Sequence, residues 1–185
     1  MTTIIGMSGS LRRGSFNTML LKAAAELVPD RAQVEIASYR DFPLYDADIE
    51  TEQGIPPMVS ALKDRIANAD GLLLVTPEYN NSMPGVLKNA IDWLTRPGKD
   101  IPRVFGGRPV AVMGATPGRG GTILAQAAWL PVFRTLRTKP WFGPPLRLSE
   151  AAKVFDETGT LTDEKLREQV QAFMAGFVAF IRASQ

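Results

Sequence analysis

The stretch Gly71-Leu72-Leu73-Leu74-Val75 decides the fold. It does not alternate apolar with polar, as a strand with one wet face would. A run this short and this apolar reads as a strand covered by helices on both sides, the central position in a parallel sheet. Its flanks agree with that reading. Before it, a helix is predicted from Pro56 to Ala69, with Val59, Leu62, Ile66 and Ala69 on one stripe. Proline suits the first turn, where its missing N–H would have no partner anyway. After it, Pro84 to Leu94 sets Val86, Leu87, Ala90, Ile91 and Leu94 at helical spacing.

Further out, the same alternation repeats. Ile4-Ile5-Gly6-Met7 is a short buried strand. A helix from Asn17 to Val28 follows, with Asn17 placed to cap it and Pro29 to stop it. Val34-Glu35-Ile36 alternates and suits a wetter edge, while Tyr39 to Ile55 carries no clear element. Pro109 to Met113 is another buried strand, followed by a helix from Gly121 to Thr135. The stretch Lys139 to Leu148 holds Pro140, Pro144 and Pro145, which cannot donate to a ladder, and reads as an interrupted last strand. Asp163 to Ala183 is a helix with Leu166, Val170, Phe173, Met174, Phe177, Val178 and Ile181 on one face.

Five strands alternating with five helices predict an α/β three-layer sandwich around a five-stranded parallel sheet, one domain over residues 1–185. A polar second strand at the edge favours the flavodoxin-like order 2-1-3-4-5 over the dinucleotide-fold order. Ligands in such sheets bind beyond the carboxyl ends of the strands, where the strand order reverses. That topology singles out the loops after the first, third and fourth strands.

Composition removes much chemistry. Cys and His are both absent from the 185 residues. There is no thiolate nucleophile, no Ser-His-Asp triad, no disulfide and no zinc or haem site built on those ligands. No metal site is expected. Lys and Arg number 21 against 19 Asp and Glu, a net charge of +2 scattered along the chain, which gives no basis for nucleic-acid binding. No apolar stretch approaches the ~20 residues of a bilayer span, and Ile4-Ile5 is too short for a secretory signal. A cytoplasmic protein without a membrane span is expected.

The first of the three loops is Ser8-Gly9-Ser10-Leu11-Arg12-Arg13-Gly14-Ser15-Phe16-Asn17-Thr18. It joins a buried strand to a helix N-terminus, where free N–H groups and the helix dipole favour an anion. Ser10, Ser15, Asn17 and Thr18 add short donors, and Arg12 or Arg13 offers a forked contact to a phosphate. It is neither a Walker loop nor the Gly-x-Gly-x-x-Gly fingerprint. The second loop, Thr76 to Gly85, is stiffened by Pro77 and Pro84 and presents Tyr79 and Asn80 toward a flat heterocycle. The third, Gly114 to Thr122, holds Gly118, Gly120 and Gly121, which suits close approach of a ligand to backbone. A phosphate at one end and a planar ring at the other describe a mononucleotide, and flavin mononucleotide (FMN) suits a flavodoxin-like order.

Two motifs carry a resemblance to a known family. Gly9-Ser10-Leu11-Arg12-Arg13-Gly14-Ser15-Phe16-Asn17 and Pro77-Glu78-Tyr79-Asn80-Asn81-Ser82-Met83-Pro84-Gly85 through Trp93 closely resemble the NADPH-dependent FMN reductase family, with similarity from about Thr3 to Ile181. That family includes bacterial quinone, chromate and azo-dye reductases. The resemblance implies bound FMN, NADPH or NADH as donor, a small-molecule electron acceptor and a homodimer or homotetramer. It assigns Ser10, Arg12, Ser15, Phe16, Asn17 and Thr18 to the phosphate end. Pro77, Glu78, Tyr79, Asn80 and Ser82 fall to the isoalloxazine, with Thr116 and Gly118 at its pyrimidine side. No side chain is expected to be catalytic, because the flavin carries the hydride chemistry. Arg119 is placed to add positive charge where the reduced ring is negative. Trp93, and Trp129 with Phe133, are candidate contacts between copies, with ordinary core packing as the alternative. An electron carrier without NAD(P)H activity is the rival, though such carriers are usually acidic and this chain has a pI of about 9.0.

Overall fold

A computed structural model describes every residue, Met1–Gln185. Strand β1 (Thr2–Ser8) lies between β2 (Ala32–Ala37) and β3 (Gly71–Val75). Strand β4 (Pro109–Ala115) follows β3, and β5 (Lys139–Pro140) follows β4. The order is β2-β1-β3-β4-β5 and every pairing is parallel, as the edge-like second strand implies. All of Gly71–Val75 is buried, which is why that run shows no polar alternation.

The two faces of the sheet make two apolar layers. Ile4, Leu73, Val75, Ala111 and Met113 face helices α1 (Phe16–Glu26) and α7 (Glu164–Ala183). Ile5, Met7, Leu72, Leu74 and Val110 face helices on the other side. These are α3 (Pro57–Asn68), α4 (Gly85–Leu94) and α6 (Ile123–Thr135), numbered after a short α2 (Ala47–Gln53) and before α7; α5 (Ile101–Val104) is a single turn. Trp93 and Trp129 are fully buried in the second layer and Phe133 nearly so, so core packing accounts for all three.

Two expectations shift and a third holds. The Tyr39 to Ile55 stretch contains α2, whose start is capped by Asp46 accepting from the Asp48 N–H at 2.9 Å. Helical spacing could not reveal it because none of its residues is buried. The cap of α1 is Ser15, whose hydroxyl accepts from the Thr18 N–H at 3.3 Å, and not Asn17. The last strand is broken as expected: β5 ends at Pro140 and the chain returns to β4 as β6 (Arg147–Leu148). Between them the Trp141 ring leaves the edge and packs on Phe173 and Phe177, with centroids 4.8 and 5.8 Å away.

At the far end of the sheet from the three loops, buried Lys63 donates to Asp100 and to the Arg96 carbonyl, both at 2.5 Å. The lysine holds the Asp100 carboxyl below the usual carboxylate range.

Candidate functional site

The loops after β1, β3 and β4 meet at one rim and enclose a cavity of about 450 Å³, within the roughly 300–1,000 Å³ usual for small-molecule sites. It brings together Ser10, Arg12, Ser15, Phe16 and Asn17 from the first loop, Pro77, Glu78 and Tyr79 from the second, and Ala115, Thr116 and Pro117 from the third. Thr18, Asn80, Ser82 and Gly118, also read from the sequence, do not line it.

The first loop is held by its own short side chains. Ser8 Oγ and Thr18 Oγ1 share a hydrogen bond of 2.8 Å, so Thr18 braces the loop from behind. Gly9 permits a close approach: its N–H donates to the Val75 carbonyl at 2.7 Å, and a Cβ there would lie 2.6 Å from Pro77 Cδ. The Tyr39 hydroxyl donates to the Ser8 carbonyl at 2.6 Å, and burial followed by the nearby Tyr79 phenol raises its pKa, so the donor stays protonated. The N–H groups of Arg13, Gly14 and Ser15 donate to no group of the chain, and those of Phe16 and Asn17 fall in the first helical turn, which has no intrahelical acceptors. These unpaired amides, those of Ser15, Phe16 and Asn17 lying at the cavity, make a cradle at the positive end of α1, where an anionic group is favoured. Arg12 lies over it, with Nη2 donating to the Gly14 carbonyl at 2.5 Å and its guanidinium 5.6 Å from the Phe16 ring centre.

Asn17 does something the sequence did not disclose. Its Nδ2 donates to the Ala115 carbonyl at 2.8 Å and its Oδ1 accepts from the Ala115 N–H at 2.9 Å. This buried amide–peptide pair ties the first loop to the third. The Asn17 side chain is therefore engaged by protein, and what faces the cradle is its backbone.

In the second loop, Tyr79 and Ser82 exchange two backbone bonds of 3.0 Å around Asn80 and Asn81, both left-handed at φ 49° and 61°. Asparagine tolerates that conformation better than most residues. Asn80 and Ser82 thus shape the turn that holds out Tyr79, which is exposed and lies 3.4 Å from Ser10 Oγ through its hydroxyl. The Glu78 carboxylate leaves the loop and accepts from the Leu124 and Ala125 N–H groups at 2.8 and 3.0 Å.

The third loop is fastened from outside. The Thr116 N–H donates to the Leu148 carbonyl at 2.9 Å and its carbonyl accepts from Ala151 at 3.0 Å. The Gly118 carbonyl accepts from Glu150 at 2.9 Å, which directs Gly118 away from the cavity. Arg119 is exposed. Arg40, missed by sequence reading, donates to the Leu11 carbonyl at 2.5 Å. Its signal was topological: it lies three residues beyond the end of β2, on the same rim.

No buried side-chain nitrogen or oxygen lacks a partner. The donors left for a ligand are the cradle amides and the exposed arginines at one end, with the Pro77–Tyr79 and Thr116–Pro117 walls at the other. A phosphate at the cradle and a flat ring in the slot fit this donor set. No group of three or more acidic, His or Cys residues is arranged to hold a metal. No helix is long and apolar enough to cross a membrane.

Comparison with known proteins agrees with the geometry. Residues 2–151 match the model of a family described as NADPH-dependent FMN reductase. An NAD(P)H-dependent FMN reductase of Pseudomonas aeruginosa is 41% identical over 179 residues, covering 97% of this chain and 95% of that one. A 2-hydroxy-1,4-benzoquinone reductase of a Burkholderia species is 40% identical over 174 residues, covering 94% and 93%. Among solved structures, the flavoenzyme FerB, an NAD(P)H:(acceptor) oxidoreductase of Paracoccus denitrificans, superimposes with a TM-score of 0.89 at 36% identity, covering 100% of this chain and 99% of that one.

Proposed function

The chain belongs to the NADPH-dependent FMN reductase family, and on that premise we propose that it is an NAD(P)H-dependent oxidoreductase that holds FMN in the three-loop cavity and reduces quinones. The observation that carries this reading is the joining of an amide cradle to a flat slot in one cavity. The N–H groups of Ser15, Phe16 and Asn17 with the Arg12 guanidinium would hold the phosphate, and the Pro77–Tyr79 and Thr116–Pro117 walls would hold the ring edge.

When bound there, FMN would supply the redox chemistry, hydride transfer from reduced nicotinamide and two-electron reduction of an acceptor. The protein orients the ring and leaves one side of the slot open. With neither His nor Cys in the chain, no side chain of those types serves as proton donor or nucleophile. Donor and acceptor use the same open side in turn, which gives ping-pong kinetics. An open side of this kind also admits azo and nitro compounds, metal oxyanions and free flavin. Exposed Ile123, Leu124, Leu130 and Phe142, on α6 and the detour after β5, support assembly into a homodimer or homotetramer. A cytoplasmic setting provides both the nicotinamide donor and the acceptors.

The test is spectroscopic. Purified protein incubated with FMN and desalted is expected to be yellow, to bleach with anaerobic NADPH, and to regain colour when menadione is added. Protein that stays colourless after that incubation overturns the reading. Parallel double-reciprocal plots check the ping-pong order, and light scattering after size exclusion checks the assembly.

A further inference from the structure

Helix α6 starts without a cap of its own. Its N-cap residue, Thr122, makes no capping bond; Thr122 Oγ1 accepts instead from Gln126 Nε2 at 3.0 Å. The first-turn amides of any helix need acceptors, and here a residue far back in the chain supplies them. Glu78 Oε2 accepts from both the Leu124 and Ala125 N–H groups. A carboxylate at a helix N-terminus also complements the dipole. Glu78 lies between Pro77 and Tyr79 in the second loop, and Leu124 lies directly past the third loop, so this one carboxylate ties the second-loop wall of the slot to the helix that begins where the third loop ends.

We propose that Glu78 is a positioning residue: its carboxylate straps the second loop to the N-terminus of α6 and thereby sets the width of the slot. This rests on the functional reading above and goes beyond it, because it gives the Glu78 side chain a task directed at the protein and not at the ring. Pro77 stiffens one side of the strap and the Tyr79–Ser82 turn the other, so a lost strap displaces the wall as a unit.

Reach and charge can be separated by three substitutions. Glu78→Gln keeps an acceptor oxygen at the same reach without the charge. Glu78→Asp keeps the charge but retracts it by roughly 1.5 Å, beyond hydrogen-bond distance of both amides. Glu78→Ala removes both. FMN affinity is read by quenching of FMN fluorescence, and hydrogen exchange at the Leu124 and Ala125 amides is read on flavin-free protein.

The expected result is that Glu78→Asp and Glu78→Ala each weaken FMN binding at least tenfold and speed exchange at both amides at least tenfold. Glu78→Gln is expected to stay within threefold of the unmodified protein on both counts. The proposal is overturned if Glu78→Asp matches the unmodified protein while Glu78→Gln fails, since charge and not reach would then matter. It is also overturned if all three bind FMN normally. Should Glu78→Ala fail to fold, the Gln and Asp variants decide alone. Absence of FMN binding by the unmodified protein is a separate result: it removes the functional reading and the proposal with it, whereas normal binding with indifferent variants removes only the strap.

Discussion

Replacing Asn17 with alanine separates a brace from a ligand. The Asn17 side chain is 4% exposed and makes two bonds, of 2.8 and 2.9 Å, to the peptide of Ala115. Strand β4 pairs on its other edge with Leu148, so alanine leaves the inward N–H and carbonyl of Ala115 without partners. Each unsatisfied buried group costs about 1–3 kcal/mol, so the two together cost about 2–6 kcal/mol. For a chain of this length that lowers Tm by at least about 4 °C. The assay is thermal melting of flavin-free protein followed by circular dichroism, so that no cofactor contributes. Asn17→Asp is expected to be no better at neutral pH, because a charged oxygen then faces the Ala115 carbonyl. An Asn17→Ala protein that melts within about 1 °C of the unmodified chain, yet binds FMN weakly, would refute the reasoning and return Asn17 to the ligand contacts.

Arg12→Ala is expected to weaken FMN binding about tenfold or more, since a charge-assisted bond is worth roughly 1.5–3 kcal/mol. Turnover at saturating FMN should change less, and unaltered affinity by fluorescence titration would remove Arg12 from the cradle. In Gly9→Ala the new Cβ meets Pro77 Cδ at 2.6 Å and Pro84 Cγ at 3.0 Å, neither able to swing aside. The protein should lose about 1–3 kcal/mol in urea unfolding, with weaker FMN binding; unchanged values on both measurements would show that the loops can part. Asp100 titrates below its unfolded value because of Lys63, so its contribution is present above about pH 4 and is lost as pH falls through the folded value. Asp100→Asn should therefore destabilise the fold at pH 7, by less than the roughly 3–5 kcal/mol of breaking a fully buried pair because Asp100 keeps a solvent-facing edge. It should also flatten the acid limb of a urea stability profile, and an acid limb as steep as that of the parent would contradict this.

The layers and the strand order were legible because burial leaves a periodic trace. Gly71–Val75 is apolar throughout since both its faces are covered, and α7 shows its stripe because one face meets the sheet. Helix α2 leaves no such trace, having no buried residue; its only marks are Asp46 at one end and Gly54, at φ 78°, at the other. The three loops were legible from topology and turn chemistry. The tasks of individual side chains within them were not. Asn17 and Glu78 are the polar residues one would assign to a ligand, and the partners that occupy them lie 98 and about 46 residues away in sequence. Nothing local in a motif signals a contact of that span.

The stitching of the third loop makes the cavity depend on chain that does not line it. The Thr116 and Gly118 backbones are anchored by residues 148–151, and the first loop is anchored through Ala115. Residues from the broken final strand thus act as an outer seam for a wall to which they add no side chain, so a change in that seam reaches the slot through backbone alone.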